Sequence, residues 1–259
     1  MNALQQVFLL RNRRFRGCGH AILTGVHSFG RLLIPVICLA GGAALGTFVT
    51  RGDQLAPADS FVAKYFESNV WDDTRWLGVR VQKLPLDLWV YQEIIYETRP
   101  DVLIEAGTLR GGSAYYFASL FDLLGNGRVI TIDIVAQPNL PQHPRISYLN
   151  GSSTSAEVVE SVKNFIQPNE KVMVVLDSDH SRDHVYRELE AYAPMVTPGQ
   201  YLVVEDTCIN GHPVMKGFGP GPMEAVLAFL KERPEFVRDP SREKFMATFN
   251  PKGWLKRVR

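Results

Sequence analysis

Four carboxylates and a histidine stand at the ends of two apolar runs, Val175-Leu176-Asp177-Ser178-Asp179-His180 and Val204-Glu205-Asp206. Unpaired carboxylates at close quarters repel one another and shift upward in pKa. A hard divalent cation removes that cost, and oxygen-rich ligation without cysteine suits Mg²⁺ or Ca²⁺ better than zinc. The bland alternative is a set of solvated acidic ends satisfied by Arg182 or Lys216. Two adjacent acids closing an apolar run and facing a second acid cluster are hard to explain that way.

A second constellation lies upstream, Glu105-Ala-Gly107-Thr-Leu-Arg-Gly111-Gly112-Ser113, again directly after an apolar run. Glycines there let the backbone turn sharply and approach a ligand, and the helix that follows offers free amide donors. Leu109 stands where a GxGxxG fingerprint needs glycine, and no GK[ST] follows, so neither a dinucleotide fingerprint nor a P-loop is present. An acid before a spaced-glycine turn suits S-adenosylmethionine, whose methionine part carries an ammonium group. A tight strand–helix turn without ligand is the competing reading. Asp133, 28 residues beyond Glu105, closes another β-branched run. An acid so placed accepts hydrogen bonds from ribose hydroxyls in nucleoside-binding α/β folds, or is an ordinary strand end. Taken together, Glu105, the glycines and Asp133 favour a nucleoside-containing cofactor.

The elements that position these residues follow from the hydrophobic pattern. Apolar runs at DVLIEAG, RVITIDI, RISYLNG, VMVVLDSD and QYLVVED alternate with helical stretches, among them GGSAYYFASLFDLL and GPGPMEAVLAFLKE. A helix is expected near 86–97, ended by Pro100, and a closing strand pair within FVRDPSREKFMATFNPKGWLKRVR. Continuous apolar strands alternating with helices predict a doubly wound, mostly parallel α/β sheet. In such a sheet ligands bind beyond the carboxyl ends of the strands, where the residues above fall.

At 259 residues, with 46% hydrophobic and 21% charged side chains, the chain has length for one large core and is not disordered. Its 28 basic residues nearly balance 27 acidic ones, so no nucleic-acid partner is expected. Cys18, Cys38 and Cys208 are scattered and without CxxC spacing, which supports neither disulfides nor zinc. The balance hides an asymmetry: Arg11, Arg13, Arg14, Arg16 and Arg31 precede LLIPVICLAGGAALGTFV, the uncharged residues 32–49. Eighteen residues give about 27 Å of helix, close to the ~30 Å of a hydrocarbon core. A membrane anchor through residues 32–49 is the favoured reading, over a cleaved targeting segment or a buried helix. Three parts are expected: a basic leader and anchor (1–50), a linker (51–70) and a catalytic domain (71–259).

EAGTLRGGS, LDSDH, VVED and the closing FNPKGWLKR, with WLG and KLPLDLW near residues 76–89, resemble the cephalosporin hydroxylase family. That family includes rhamnosyl O-methyltransferases, and its fold is the Rossmann-like fold of S-adenosylmethionine-dependent methyltransferases. The resemblance runs from about Trp71 to Arg257. It implies that Glu105, Gly107 and Ser113, with Gly111 in the same turn, line the methionine end of the cofactor and Asp133 its ribose. It also implies that Asp177, Glu205 and Asp206 hold Mg²⁺; the 28-residue step from Asp177 to Glu205 resembles the ligand spacing of catechol O-methyltransferase.

The expected reaction is methyl transfer from S-adenosylmethionine to a hydroxyl, with Mg²⁺ lowering the hydroxyl pKa. Asp179 is the first choice of base, two residues from Asp177, and its equivalent serves so in related sugar methyltransferases. His180 is the second, as the side-chain type that exchanges a proton near neutral pH. The expected partners are a small-molecule or glycolipid acceptor, the membrane, and a second copy in a homo-oligomer. Trp71, Trp76 and Trp89 would form a lid over the acceptor or pack in the core. The positive-inside tendency keeps the arginine leader cytoplasmic, yet the cofactor is made in the cytosol; a single-pass protein with a cytosol-facing catalytic domain is favoured on the second ground. The different class kept open is a DxD glycosyltransferase, with Asp177-Ser-Asp179 binding a nucleotide-sugar through a metal.

Overall fold

The structure, a computed structural model, describes residues 55–259. The leader, the hydrophobic stretch 32–49 read as an anchor and the first part of the linker lie outside the described residues. Among the described residues no helix is long and apolar enough to cross a membrane.

Five apolar runs become parallel strands, β3 (Val102–Ala106), β4 (Arg128–Asp133), β5 (Ile146–Asn150), β6 (Val172–Leu176) and β7 (Tyr201–Val204). They are preceded by a short antiparallel pair, β1 (Arg75–Trp76) and β2 (Val79–Arg80). The expected closing strands are β8 (Phe236–Arg238) and β9 (Trp254–Arg257). The seven-stranded order is β5-β4-β3-β6-β7-β9-β8, with β9 antiparallel to both its neighbours. Chain direction across the sheet reverses between β3 and β6, the crevice where doubly wound sheets bind ligands.

Side chains alternate along each strand, and the alternation decides what each helix meets. Val102, Ile104, Val174, Leu176, Leu202 and Val204 face α4 (Ala156–Phe165), α5 (Arg182–Tyr192) and α6 (Pro222–Glu232). Leu103, Met173, Val175 and Val203 face α2 (Pro85–Thr98) and α3 (Gly112–Leu124), packing on Tyr91, Ile94, Ile95, Phe117 and Phe121. The same parity places Glu105, within β3, and Asp177 and Glu205, one residue past β6 and β7, on the α2–α3 side. The spacing of an apolar core thus delivers three acids to one place.

Part of the expected linker is structured. Residues 57–68 form α1 (Pro57–Ser68), started by Pro57 in its first turn, a position where its missing amide hydrogen costs nothing. Val62, Tyr65 and Phe66 share a face at helical spacing and pack with Trp71 and Phe249. This second small core ties the segment before the sheet to the one before β9. Trp71 and Trp76 belong to cores rather than to a lid, while Trp89 is 58% exposed.

Candidate functional site

Residue 107 must be glycine. Its φ is 107°, and an added Cβ would stand 1.9 Å from the Asp177 backbone carbonyl. This close approach lets the turn after β3 lie directly on the end of β6, bringing the two sequence constellations together. The turn is secured from the other side by Asp133, whose Oδ2 accepts from the Leu109 amide at 2.8 Å and whose Oδ1 accepts from the Val135 amide. Asp133 thus supports the glycine turn directly. Gly111, at φ 72°, lies against Pro141 and the Tyr148 hydroxyl, and Ser113 is buried on the first turn of α3.

Glu105 is fully buried. Its Oε2 accepts from the Thr131 hydroxyl at 2.6 Å, while Oε1 is buried with no hydrogen-bond partner among the described residues. Burial pushes its pKa up to about 7, against the pull of the nearby Lys83 ammonium. A buried acceptor without a donor is costly, so this atom is what a cationic group of a ligand would satisfy.

Across the crevice, an oxygen of Asp177, an oxygen of Asp206 and a ring nitrogen of His180 lie within 4.8 Å of one another. His180 Nε2 is 3.2 Å from Asp206 Oδ2 and 3.8 Å from Asp177 Oδ1. Burial raises the pKa of both acids; Lys83 counteracts this most at Asp177, and His180 does so at Asp206. Asp206 has a left-handed backbone, φ 53°, which a short polar side chain tolerates better than most. Its amide donates to Asn250 Oδ1 at 3.0 Å. That asparagine follows Phe249, whose amide donates to Asp87 Oδ2 at 2.9 Å. Asp87 is buried, its pKa pushed up to about 7 by desolvation. The chain from α2 through the NPKG segment therefore fixes the angle at which Asp206 leaves β7.

Glu205 is placed differently from expectation. It stands beside the cluster, but Oε2 pairs with Lys83 Nζ at 2.6 Å and Oε1 accepts from the Tyr91 hydroxyl at 2.6 Å. Lys83 also reaches Asp177 Oδ2 at 2.8 Å. Burial raises the pKa of Glu205, with Lys83 acting against it, and the two acids drive the Lys83 pKa upward despite its burial. Asp179 is not in the cluster. Its Oδ1 accepts from the Ser181 amide at 2.8 Å at the start of α5, and although burial works to raise its pKa, hydrogen bonds from Ser181 hold it below the usual carboxylate range. Asp179 therefore stands outside the Asp177–His180–Asp206 group, which leaves the DxD reading without its second ligand there. His184 turns to Glu188, 3.3 Å away.

Lys83, Tyr91, Asp87 and Asn250 were not singled out from the sequence. Lys83 and Asp87 belong to KLPLDLW and Asn250 to FNPKGWLKR, segments of the family resemblance that had carried no chemistry.

Residues 68–258 match the family model described as Rhamnosyl O-methyltransferase/CmcI. The rhamnosyl O-methyltransferase of Mycobacterium tuberculosis (strain H37Rv) is 38% identical over 234 residues, covering 87% of this chain and 94% of that protein. That of Mycobacterium leprae is 38% identical over 213 residues, covering 78% and 92%. Among solved structures, a ligand-free form of CmcI superposes with TM-score 0.56 at 21% identity, covering 73% of this chain and 77% of that one. A CmcI form with Mg and SAM gives 0.56 at 19%, covering 73% and 78%. At such identity the structures attest the shared fold. The sequence relatives attest more, and the chain belongs to the rhamnosyl O-methyltransferase/CmcI family.

Proposed function

We propose that this chain is a Mg²⁺-dependent O-methyltransferase that moves the methyl group of S-adenosylmethionine onto a hydroxyl of a sugar, glycolipid or similar small molecule. The observation that carries the proposal is the presence at the β3–β6 crevice of both a buried Glu105 carboxylate, one oxygen of which has no hydrogen-bond partner among the described residues, and the Asp177–His180–Asp206 cluster. Its relatives are rhamnosyl O-methyltransferases, and the CmcI fold accommodates Mg and SAM together. The residues fit both groups. Glu105 offers a buried acceptor to an ammonium, Asp177 and Asp206 present the hard oxygen donors that Mg²⁺ prefers, and Glu205 beside them would join as a third donor on leaving Lys83.

In this reading Glu105, Gly107, Gly111, Ser113 and Asp133 form the cofactor side of the crevice, and Asp177, Glu205 and Asp206 hold the metal. When bound, S-adenosylmethionine supplies an electrophilic methyl group and Mg²⁺ supplies Lewis acidity toward the acceptor hydroxyl. The rest of the rate comes from this chain's placement of the two reactants. His180, rather than Asp179, takes the hydroxyl proton. Its Nε2 faces the acid cluster, so a hydroxyl held there comes within its reach. The proton taken up by His180 then leaves to solvent.

The test is transfer of labelled methyl from S-adenosylmethionine to a rhamnosylated acceptor by the full chain. Label in the sugar is expected, and its absence with every hydroxylated acceptor offered would refute the assignment.

Residues 32–49 are proposed as the anchor that holds the catalytic unit at the cytosolic face, where its cofactor is made. Protease added to the cytosolic side of sealed vesicles should digest residues 55–259. Full protection of that region would reverse the topology.

A further inference from the structure

Lys83 is buried to 3% of its side-chain exposure and touches two of the three carboxylates assigned to Mg²⁺. It reaches them from a strap between β2 and α2. The Val81 amide donates to the Thr74 carbonyl at 2.8 Å, and the Thr74 hydroxyl donates to the Lys83 carbonyl at 3.2 Å. The strap also lies on the first turn of α3, so close that a Cβ on Gly112 would be 1.8 Å from the Arg80 carbonyl. It therefore touches the proposed cofactor turn with its backbone and the proposed metal ligands with its ammonium.

The two acids differ in what they have left to offer. Asp177 gives Oδ2 to Lys83 and turns Oδ1 toward His180, so it can serve two cations at once. Glu205 cannot. Both of its oxygens are taken, one by Tyr91 and one by Lys83. Two cations in contact with the same buried oxygen repel one another strongly, because little water screens them.

We propose that Lys83 is a tethered cation that stands in for Mg²⁺ in the metal-free protein and must release Glu205 when the metal loads, shifting the 79–84 strap as it does so. The inference rests on the reading of Glu205 as a metal ligand. Lys83 then has two tasks. It keeps a cluster of buried acids from expanding before the metal arrives, and it lowers the apparent metal affinity by the fraction of molecules in which it still occupies the site. Through Gly112 its withdrawal reaches the cofactor turn, so metal loading is linked to cofactor binding.

The experiment compares wild type with Lys83→Met, full chain, in calorimetric titrations with MgCl₂ and no cofactor or acceptor. The variant should bind Mg²⁺ about tenfold tighter or more, since the competing state is gone. Its melting temperature without metal should be lower, and its rise on adding Mg²⁺ larger, than in wild type. In wild type, Mg²⁺ should change hydrogen exchange at the amides of residues 79–84; in the variant it should not. Mg²⁺ bound by both proteins, but equally or more weakly by Lys83→Met, overturns the inference and leaves the metal reading intact. Mg²⁺ bound by neither removes both. If the variant does not fold even with Mg²⁺, exchange in wild type decides alone: unchanged protection at residues 79–84 under saturating Mg²⁺ overturns the proposal.

Discussion

Replacing His180 with glutamine should lower turnover by about 10²–10⁴-fold, the usual contribution of a general base, while Mg²⁺ and S-adenosylmethionine still bind. Asp179→Asn should cost less than about tenfold, because that carboxylate accepts from the Ser181 amide just before α5 and lies outside the acid cluster. The two residues are adjacent in sequence, so the pair forms a matched control. Stopped-flow or quenched single-turnover methyl transfer, with binding of both ligands measured separately, distinguishes loss of chemistry from loss of affinity. A large loss in Asp179→Asn with an active His180→Gln enzyme would exchange their roles.

The second large effect falls on the metal. Asp206→Asn keeps the shape of the side chain but removes one of the acids that face His180 at the end of β7. Mg²⁺ binding and methyl transfer should both collapse, while S-adenosylmethionine measured in the absence of Mg²⁺ should bind as it does to wild type, because Glu105 and Asp133 are assigned to a different part of the crevice. A merely structural acid cluster gives the opposite result. Burial already holds the Asp206 pKa above the ordinary carboxylate value, with Glu205 adding to the rise, so a neutral amide there would relieve repulsion and leave the metal-free protein equally or more stable. A thermal-shift titration with Mg²⁺ and, separately, with S-adenosylmethionine separates the two cases. An Asp206→Asn protein that still gains stability from Mg²⁺ as wild type does would exclude Asp206 as a ligand.

The sheet was legible because its strands are buried on both faces. Runs such as VLIEA and VMVVL are buried along their whole length and carry at most one polar residue, so no alternation confuses the reading. The residues just beyond those runs were legible for the same reason: a carboxylate at the end of a fully apolar strand has no packing role of its own. Local pattern could not carry the partners that meet them from elsewhere. Lys83 is 94 residues from Asp177, Tyr91 is 114 from Glu205, and Asn250 is 44 from Asp206. Each looks locally ordinary, a lysine ahead of a helix, a tyrosine on a helix and an asparagine before a proline. Only the folded arrangement of α2 and the segment before β9 around the sheet brings them in. The choice between Asp179 and His180 as base turns on a finer scale. Which of two neighbours faces a cleft depends on the backbone turn between β6 and α5, and Asp179 is spent on the Ser181 amide there. The segment expected as linker misled because polar RGDQLAPADS masks the helix that begins within it; the helix's apolar face, Val62, Tyr65 and Phe66, comes only after that polar stretch has ended.

The measurement that tests the central claim most directly is methyl transfer from labelled S-adenosylmethionine to a rhamnosylated acceptor by enzyme stripped with chelator, before and after Mg²⁺ is restored. The account predicts that activity is lost in chelator and returns with Mg²⁺, saturating as the acid cluster at Asp177 and Asp206 fills. Full activity in the presence of chelator would contradict it.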